Sequence, residues 1–152
     1  MRITVVGSGG WGTALALVLE ENGHDVTLWS HRPEKAEELK RTRENPMLKG
    51  VQLPESLHLT ADLNAAGESE VVVMVTPSYA VRETAAKLRG IVKPGTVIVS
   101  ASKGIERGSS LRLSQVIDQE LGGSCPVVVL SGPSHAEEVG RHIPTGVVAA
   151  AE

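Results

Sequence analysis

Ile3, Thr4, Val5 and Val6 form an unbroken run suited to a parallel strand covered on both faces. After a polar interruption the period changes: over 13–22, Ala14, Leu15, Val18 and Leu19 fall on one helical face, with Asn22-Gly23 as a stop. The pattern then alternates. Strands are predicted over 26–29, 71–75, 96–101 and 127–130, and helices over 33–43, 81–88 and 111–121. Pro33 opens the second helix, Lys93-Pro94-Gly95 supplies a turn, and Gly122-Gly123 ends the last helix. The segment 45–63, with Pro46 and Pro54, reads as irregular with room for a short strand at 57–59, and 146–151 reads as a last, peripheral strand. The charge-rich 34–44 is expected to be a solvated face, with Glu37 near Arg41.

Strands separated by helices demand right-handed crossovers. The expected fold is therefore α/β: a doubly wound, mostly parallel Rossmann-type sheet with helices on both faces, in one domain over 1–152. Between the first strand and first helix stands Gly7-Ser8-Gly9-Gly10-Trp11-Gly12, a G-x-G-x-x-G pattern. Gly7 permits a tight turn, Gly9 lets the backbone approach a pyrophosphate, and Gly12 lets helix and strand pack closely. Strand before and helix after make a dinucleotide site the leading reading over a structural glycine turn.

Cofactor choice is written at the end of the second strand, where NAD-preferring sites place an acidic residue about 20 residues past the glycines. This chain has Trp29, Ser30, His31 and Arg32 there, with Asp25 at the strand's far end and Glu34 already in the next helix. Ser30 can hydrogen-bond a 2'-phosphate, and Arg32, with His31, offers it charge and planar donors. NADP(H) is preferred on this basis, with NAD(H) as the second cofactor; the competing reading makes His31 and Arg32 plain surface residues before Pro33.

Other polar loops also follow strands, where open α/β sheets bind ligands. Thr76-Pro77-Ser78 would form a wall beside the cofactor, Ser102-Lys103-Gly104 presents an ammonium, and Ser131-Gly132-Pro133-Ser134 ends the last core strand. Lys103 could anchor an anionic substrate and polarise a carbonyl, or be an exposed lysine without a role.

Composition narrows the partners. The net charge of −3, from 15 basic and 18 acidic residues in 152, gives no electrostatic case for nucleic acid or an anionic membrane. No apolar run has the length of a bilayer span, and the residues from Met1 read as entering a strand after Arg2 without a basic n-region or cleavage site, so export is not expected. The one cysteine, Cys125, reads as a small core residue in a chain expected to be cytoplasmic. The five histidines, His24, His31, His58, His135 and His142, lack metal-ligand spacing, and His135 reads as a loop residue rather than a base.

Taken together, GSGGWGTALA (7–16), WSHRPE (29–34), VTPSYAVRE (75–83), SKGIE (102–106) and LSGPSHAEEV (130–139) resemble, in order and spacing, the N-terminal domain of bacterial NAD(P)-dependent glycerol-3-phosphate dehydrogenase. The resemblance covers nearly the whole chain, and SKGIE and GPSHAEEV are far more selective than the glycine pattern. It implies reduction of dihydroxyacetone phosphate to sn-glycerol 3-phosphate, a phospholipid precursor. It further implies that Gly10, Trp11, His31 and Arg32 contact NADPH and that Lys103 contacts both cofactor and substrate. Gly132 and Ser134 would lie on the substrate side and Ala136 on the cofactor side.

Two departures stand out. The loop ENPMLKGVQLP (44–54) is shorter than the family's N-x-x-Y-L-P segment and carries Met47 and Leu48 where a tyrosine-leucine pair is common, which bears on the lid of the cofactor cleft. Family members also continue into a helical domain that holds the general acid/base lysine and most glycerol-phosphate ligands, and through which a homo-oligomer could form. The chain to Glu152 is expected to be catalytically incomplete alone, because reducing a ketone also requires protonation of the developing alkoxide. Two alternatives remain at this level: another two-domain dehydrogenase, of ketopantoate reductase or hydroxyacyl-CoA dehydrogenase type, and a non-catalytic nucleotide-sensing module.

Overall fold

A computed structural model describes residues 1–151; the expected domain end at Glu152 lies outside the described residues. Seven strands form one sheet in the order β3-β2-β1-β4-β5-β6-β7. They are β1 (Arg2–Val6), β2 (Asp25–Trp29), β3 (His58–Thr60), β4 (Val71–Met74), β5 (Val97–Ser100), β6 (Val127–Ser131) and β7 (Val148–Ala151). The first six run parallel, while β7 pairs antiparallel with β6 at the edge. The helices are α1 (Gly10–Glu21), α2 (Pro33–Thr42), α3 (Val81–Leu88), α4 (Leu113–Leu121) and the single turn α5 (Ala136–Val139).

Strand side chains alternate between two cores, as the two-residue period requires. Ile3 and Val5 of β1 join Val26, Leu28 and Val73 beneath α1, whereas Val6, Val72, Met74 and Ile98 face Val81, Leu88 and Ile117 of α3 and α4. Val5, Val6, Val72 and Met74 are wholly inaccessible, which is why the central strands read as continuous apolar runs.

α1 begins at Gly10, three residues before its expected start. Glycine disfavours helix by about 1 kcal/mol per residue, so local propensity points to a start after Gly12. Close packing overrides it: a Cβ on Gly12 would stand 1.9 Å from the Gly7 carbonyl oxygen. The deeply buried face also differs from expectation, comprising Thr13, Ala14, Ala16 and Leu17, while Leu15, Val18 and Leu19 are only partly covered. The helix is enclosed from a second side by α5 and by residues 44–54, which the sheet pattern does not encode. On α2, Glu37 pairs with Lys40 at 2.7 Å rather than with Arg41; the pair is exposed and worth tenths of a kcal/mol.

Residues 44–54 form an anchored strap. Asn45, 2% exposed, donates through Nδ2 to Thr13 Oγ1 at 2.7 Å and to the Ser8 carbonyl at 3.1 Å. Leu48 and Leu53 are buried beside α1, and Arg43 Nη1 donates to the carbonyls of Pro54 and Leu57.

Candidate functional site

The strands β1, β2, β4 and β5 end around one cleft of about 630 Å³. It opens where the chain order reverses between β1 and β4, the position at which doubly wound sheets bind their ligands. Gly7, Ser8 and Gly9 form its floor, with Trp11, His31, Arg32 and Lys35 to one side and Thr76, Pro77, Ser102 and Lys103 to the other.

Gly7 adopts φ +130°, and a Cβ there would meet the Val75 carbonyl oxygen at 2.6 Å, so the turn admits no side chain. Gly9 differs: a Cβ on it would have no neighbour within 4 Å. The space above Gly9 is therefore open cleft, at the N-terminus of a helix that no side chain caps. First-turn amides of such a helix lack intrahelical acceptors and favour an anion. This cradle fits a pyrophosphate. Gly10 sits between strap and α5, where a Cβ would be 2.6 Å from the Met47 carbonyl oxygen and 3.5 Å from Ala136 Cβ.

At the end of β2 the side chains diverge. Trp29 packs its ring near His31, with centroids 6.5 Å apart, and donates from Nε1 to the Ala61 carbonyl at 3.0 Å. His31 and Arg32 are exposed and line the cleft. Ser30 does not: it is 1% exposed, outside the cleft lining, and its hydroxyl has no hydrogen-bond partner among the described residues. Across the cleft, Lys103 Nζ donates to the Ser134 carbonyl at 3.2 Å, bringing the β5 and β6 loops together. Gly132, at φ +151°, turns the chain out of β6, and a Cβ there would meet the Gly146 carbonyl oxygen at 2.9 Å. Ala136 begins α5 behind Gly10. His135 is exposed at the start of that turn.

Three features were not legible as site residues. Lys35 reaches the glycine loop, with Nζ 2.8 Å from the Ser8 carbonyl; the available signal was its place in the first turn of a helix that starts at the cofactor strand. Tyr79, 84% exposed, lines the cleft mouth from the segment before α3. The Lys103 loop is braced from below by a fork in which Arg82 of α3 donates to Glu106 and also to Glu120 of α4.

A glycine-floored cleft at the switch point of this sheet defines a dinucleotide-binding domain of the Rossmann class. A family model for the N-terminus of NAD-dependent glycerol-3-phosphate dehydrogenase matches residues 2–152. The chain belongs to that family. It is 53% identical to a glycerol-3-phosphate dehydrogenase [NAD(P)+] of Prosthecochloris aestuarii, over 99% of this chain and 46% of the relative. It is 47% identical to one of Desulfitobacterium hafniense, over 99% of this chain and 43% of the relative. The crystal structure of glycerol-3-phosphate dehydrogenase from Coxiella burnetii superposes with a TM-score of 0.90 at 37% identity, covering 97% of this chain and 46% of that one. The chain thus spans about half the length of the curated relatives it matches. Among the described residues no helix is long and apolar enough to cross a membrane.

Proposed function

We propose that residues 1–152 form the NADPH-binding domain of an enzyme that reduces dihydroxyacetone phosphate to sn-glycerol 3-phosphate in the cytoplasm. The supporting observation is the distribution of charge along the cleft. Its β2 end carries Arg32 and His31 with no carboxylate at the ribose position, and its β5 end carries Lys103 tied to Ser134. A nicotinamide held in this cleft would supply the hydride for the substrate carbonyl carbon. Gly7, Gly9 and the start of α1 hold the pyrophosphate, and Arg32, with His31 beside it, reads the 2'-phosphate. Lys103 lines the cleft, where it would orient the carbonyl and the phosphate-bearing substrate, and its bond to Ser134 holds the Gly132–Ser134 loop beside the cleft, outside its lining. Proton donation to the developing alkoxide falls to a second, helical domain, as does any homo-oligomer contact.

Fluorescence titration of residues 1–152 with NADPH and NADH tests the first part, and steady-state oxidation of NADPH by dihydroxyacetone phosphate tests the second. NADPH should bind more tightly, and residues 1–152 alone should show no turnover. Equal affinity for the two cofactors rejects the selectivity; turnover by this domain alone would put the proton donor within it.

A further inference from the structure

Beside Arg32 the fold supplies a second cation. Lys35 stands in the first turn of α2, and helical side chains lean toward the N-terminus, which carries its ammonium back over the helix start and into the cleft. There Nζ donates to the Ser8 carbonyl at 2.8 Å and lies 3.6 Å from Met47 Sδ. An ammonium has three donors, so only one is committed to a strong acceptor. Among the described residues neither Lys35 nor Arg32 forms an ion pair. Burial, and after it the charge of Arg32, lowers the Lys35 pKa, with Glu38 on the same helix opposing. Two like charges thus line one end of the cleft, neither of them ion-paired among the described residues. A phosphate monoester, with a charge of about −1.5 to −2 at neutral pH, reverses that repulsion. Ser30, a further side chain suited by type to this phosphate, is sealed away from the cleft, and His31 stands on its rim.

We propose that Lys35 is a specificity-determining residue of this chain: with Arg32 it binds the 2'-phosphate of NADPH, and its bond to Ser8 holds the ammonium in position. This rests on the reading of the cleft as an NADPH site. The competing role is a clamp, in which Lys35 only supports the glycine loop and any dinucleotide benefits equally.

Isothermal calorimetry separates them, using 2',5'-ADP against 5'-AMP and NADPH against NADH on the unmodified chain and on Lys35→Gln, Lys35→Arg and Arg32→Ala. Lys35→Gln should weaken 2',5'-ADP and NADPH about tenfold while changing 5'-AMP and NADH less than about twofold, and Lys35→Arg should retain most of the selectivity. If Lys35→Gln does not fold, Lys35→Met keeps the aliphatic stem and serves the same comparison. Equal losses for ligands with and without the 2'-phosphate overturn the proposal in favour of the clamp. Selectivity lost in Arg32→Ala but kept in Lys35→Gln overturns it while leaving the NADPH reading intact. An unmodified chain that binds 5'-AMP as well as 2',5'-ADP overturns both.

Discussion

Arg82 and Glu106 meet as a two-pronged pair, Nε to Oε1 at 2.7 Å and Nη2 to Oε2 at 2.8 Å. The pair ties α3 to the loop that carries Lys103, and Ser109 Oγ donates to the same carboxylate. The Arg82 hydrogen bonds, followed by that of Ser109, hold the Glu106 pKa down from 4.5 to about 2. A depressed carboxyl pKa adds stability above the unfolded value and loses it as pH falls through the folded one. The stability difference between the unmodified chain and Glu106→Gln should therefore be full at neutral pH, shrink below pH 4.5 and vanish near pH 2. Urea unfolding at a series of pH values measures it, and a difference independent of pH between those limits would contradict the ion pair.

Gly9 and Gly12 should respond in opposite ways. Gly9→Val places its side chain in open cleft, at φ −71° and ψ 178°, so the melting temperature should stay near that of the unmodified chain while NADPH binding is lost. Gly12→Ala forces a methyl into the Gly7 carbonyl and should cost about 3 kcal/mol. Thermal melts with and without NADPH resolve the two, and tight binding by Gly9→Val would move the phosphate site.

The strap predicts a coupling between stability and binding. Asn45→Ala removes the donor to the buried Thr13 hydroxyl and one of the two donors to the Ser8 carbonyl, which keeps its bond from Lys35, at a cost of about 1–3 kcal/mol. Because Ser8 lies in the glycine loop, cofactor affinity should fall as well. Chemical denaturation together with an NADPH titration tests this; lost stability with unchanged affinity would uncouple strap from cleft.

Arg32→Ala should weaken NADPH by roughly 1.5–3 kcal/mol, the range for a charge-assisted bond, and leave NADH nearly unaffected. A fluorescence titration reads both, and equal losses would assign Arg32 to a part common to the two cofactors.

On the function proposed above, Lys103→Ala in a chain carrying this domain together with a helical domain should raise KM for dihydroxyacetone phosphate and lower turnover, with a smaller change in cofactor affinity. The same change frees the Ser134 carbonyl, and Lys103→Met, which also lacks the donor but keeps the aliphatic stem, should behave similarly if charge rather than bulk matters. Unaltered steady-state kinetics would return Lys103 to a surface role.

By itself the sequence determined the sheet, the glycine loop and the loops that meet in the cleft. Those features depend on local period and on residue type at short spacing: Val71–Met74 is apolar because both faces are covered, and the glycines stand where a backbone must bend or approach another. Gly7, Gly9, His31, Arg32, Pro77 and Lys103 were named from motif and register and Trp11 from the resemblance, and the structure lines one cleft with them; Gly10, Gly12, Gly132, Ser134 and Ala136, named alongside, do not line it. Tertiary structure alone decided the rest. No local pattern says that Asn45 reaches back to Thr13, that Ser30 turns inward while Lys35 turns toward Ser8, or that Arg82 meets Glu106 across 24 residues. Each is settled by packing between segments distant in sequence: once helix and sheet have met, Asn45, Lys35 and Arg82 find partners across them, while the buried Ser30 hydroxyl is left without one.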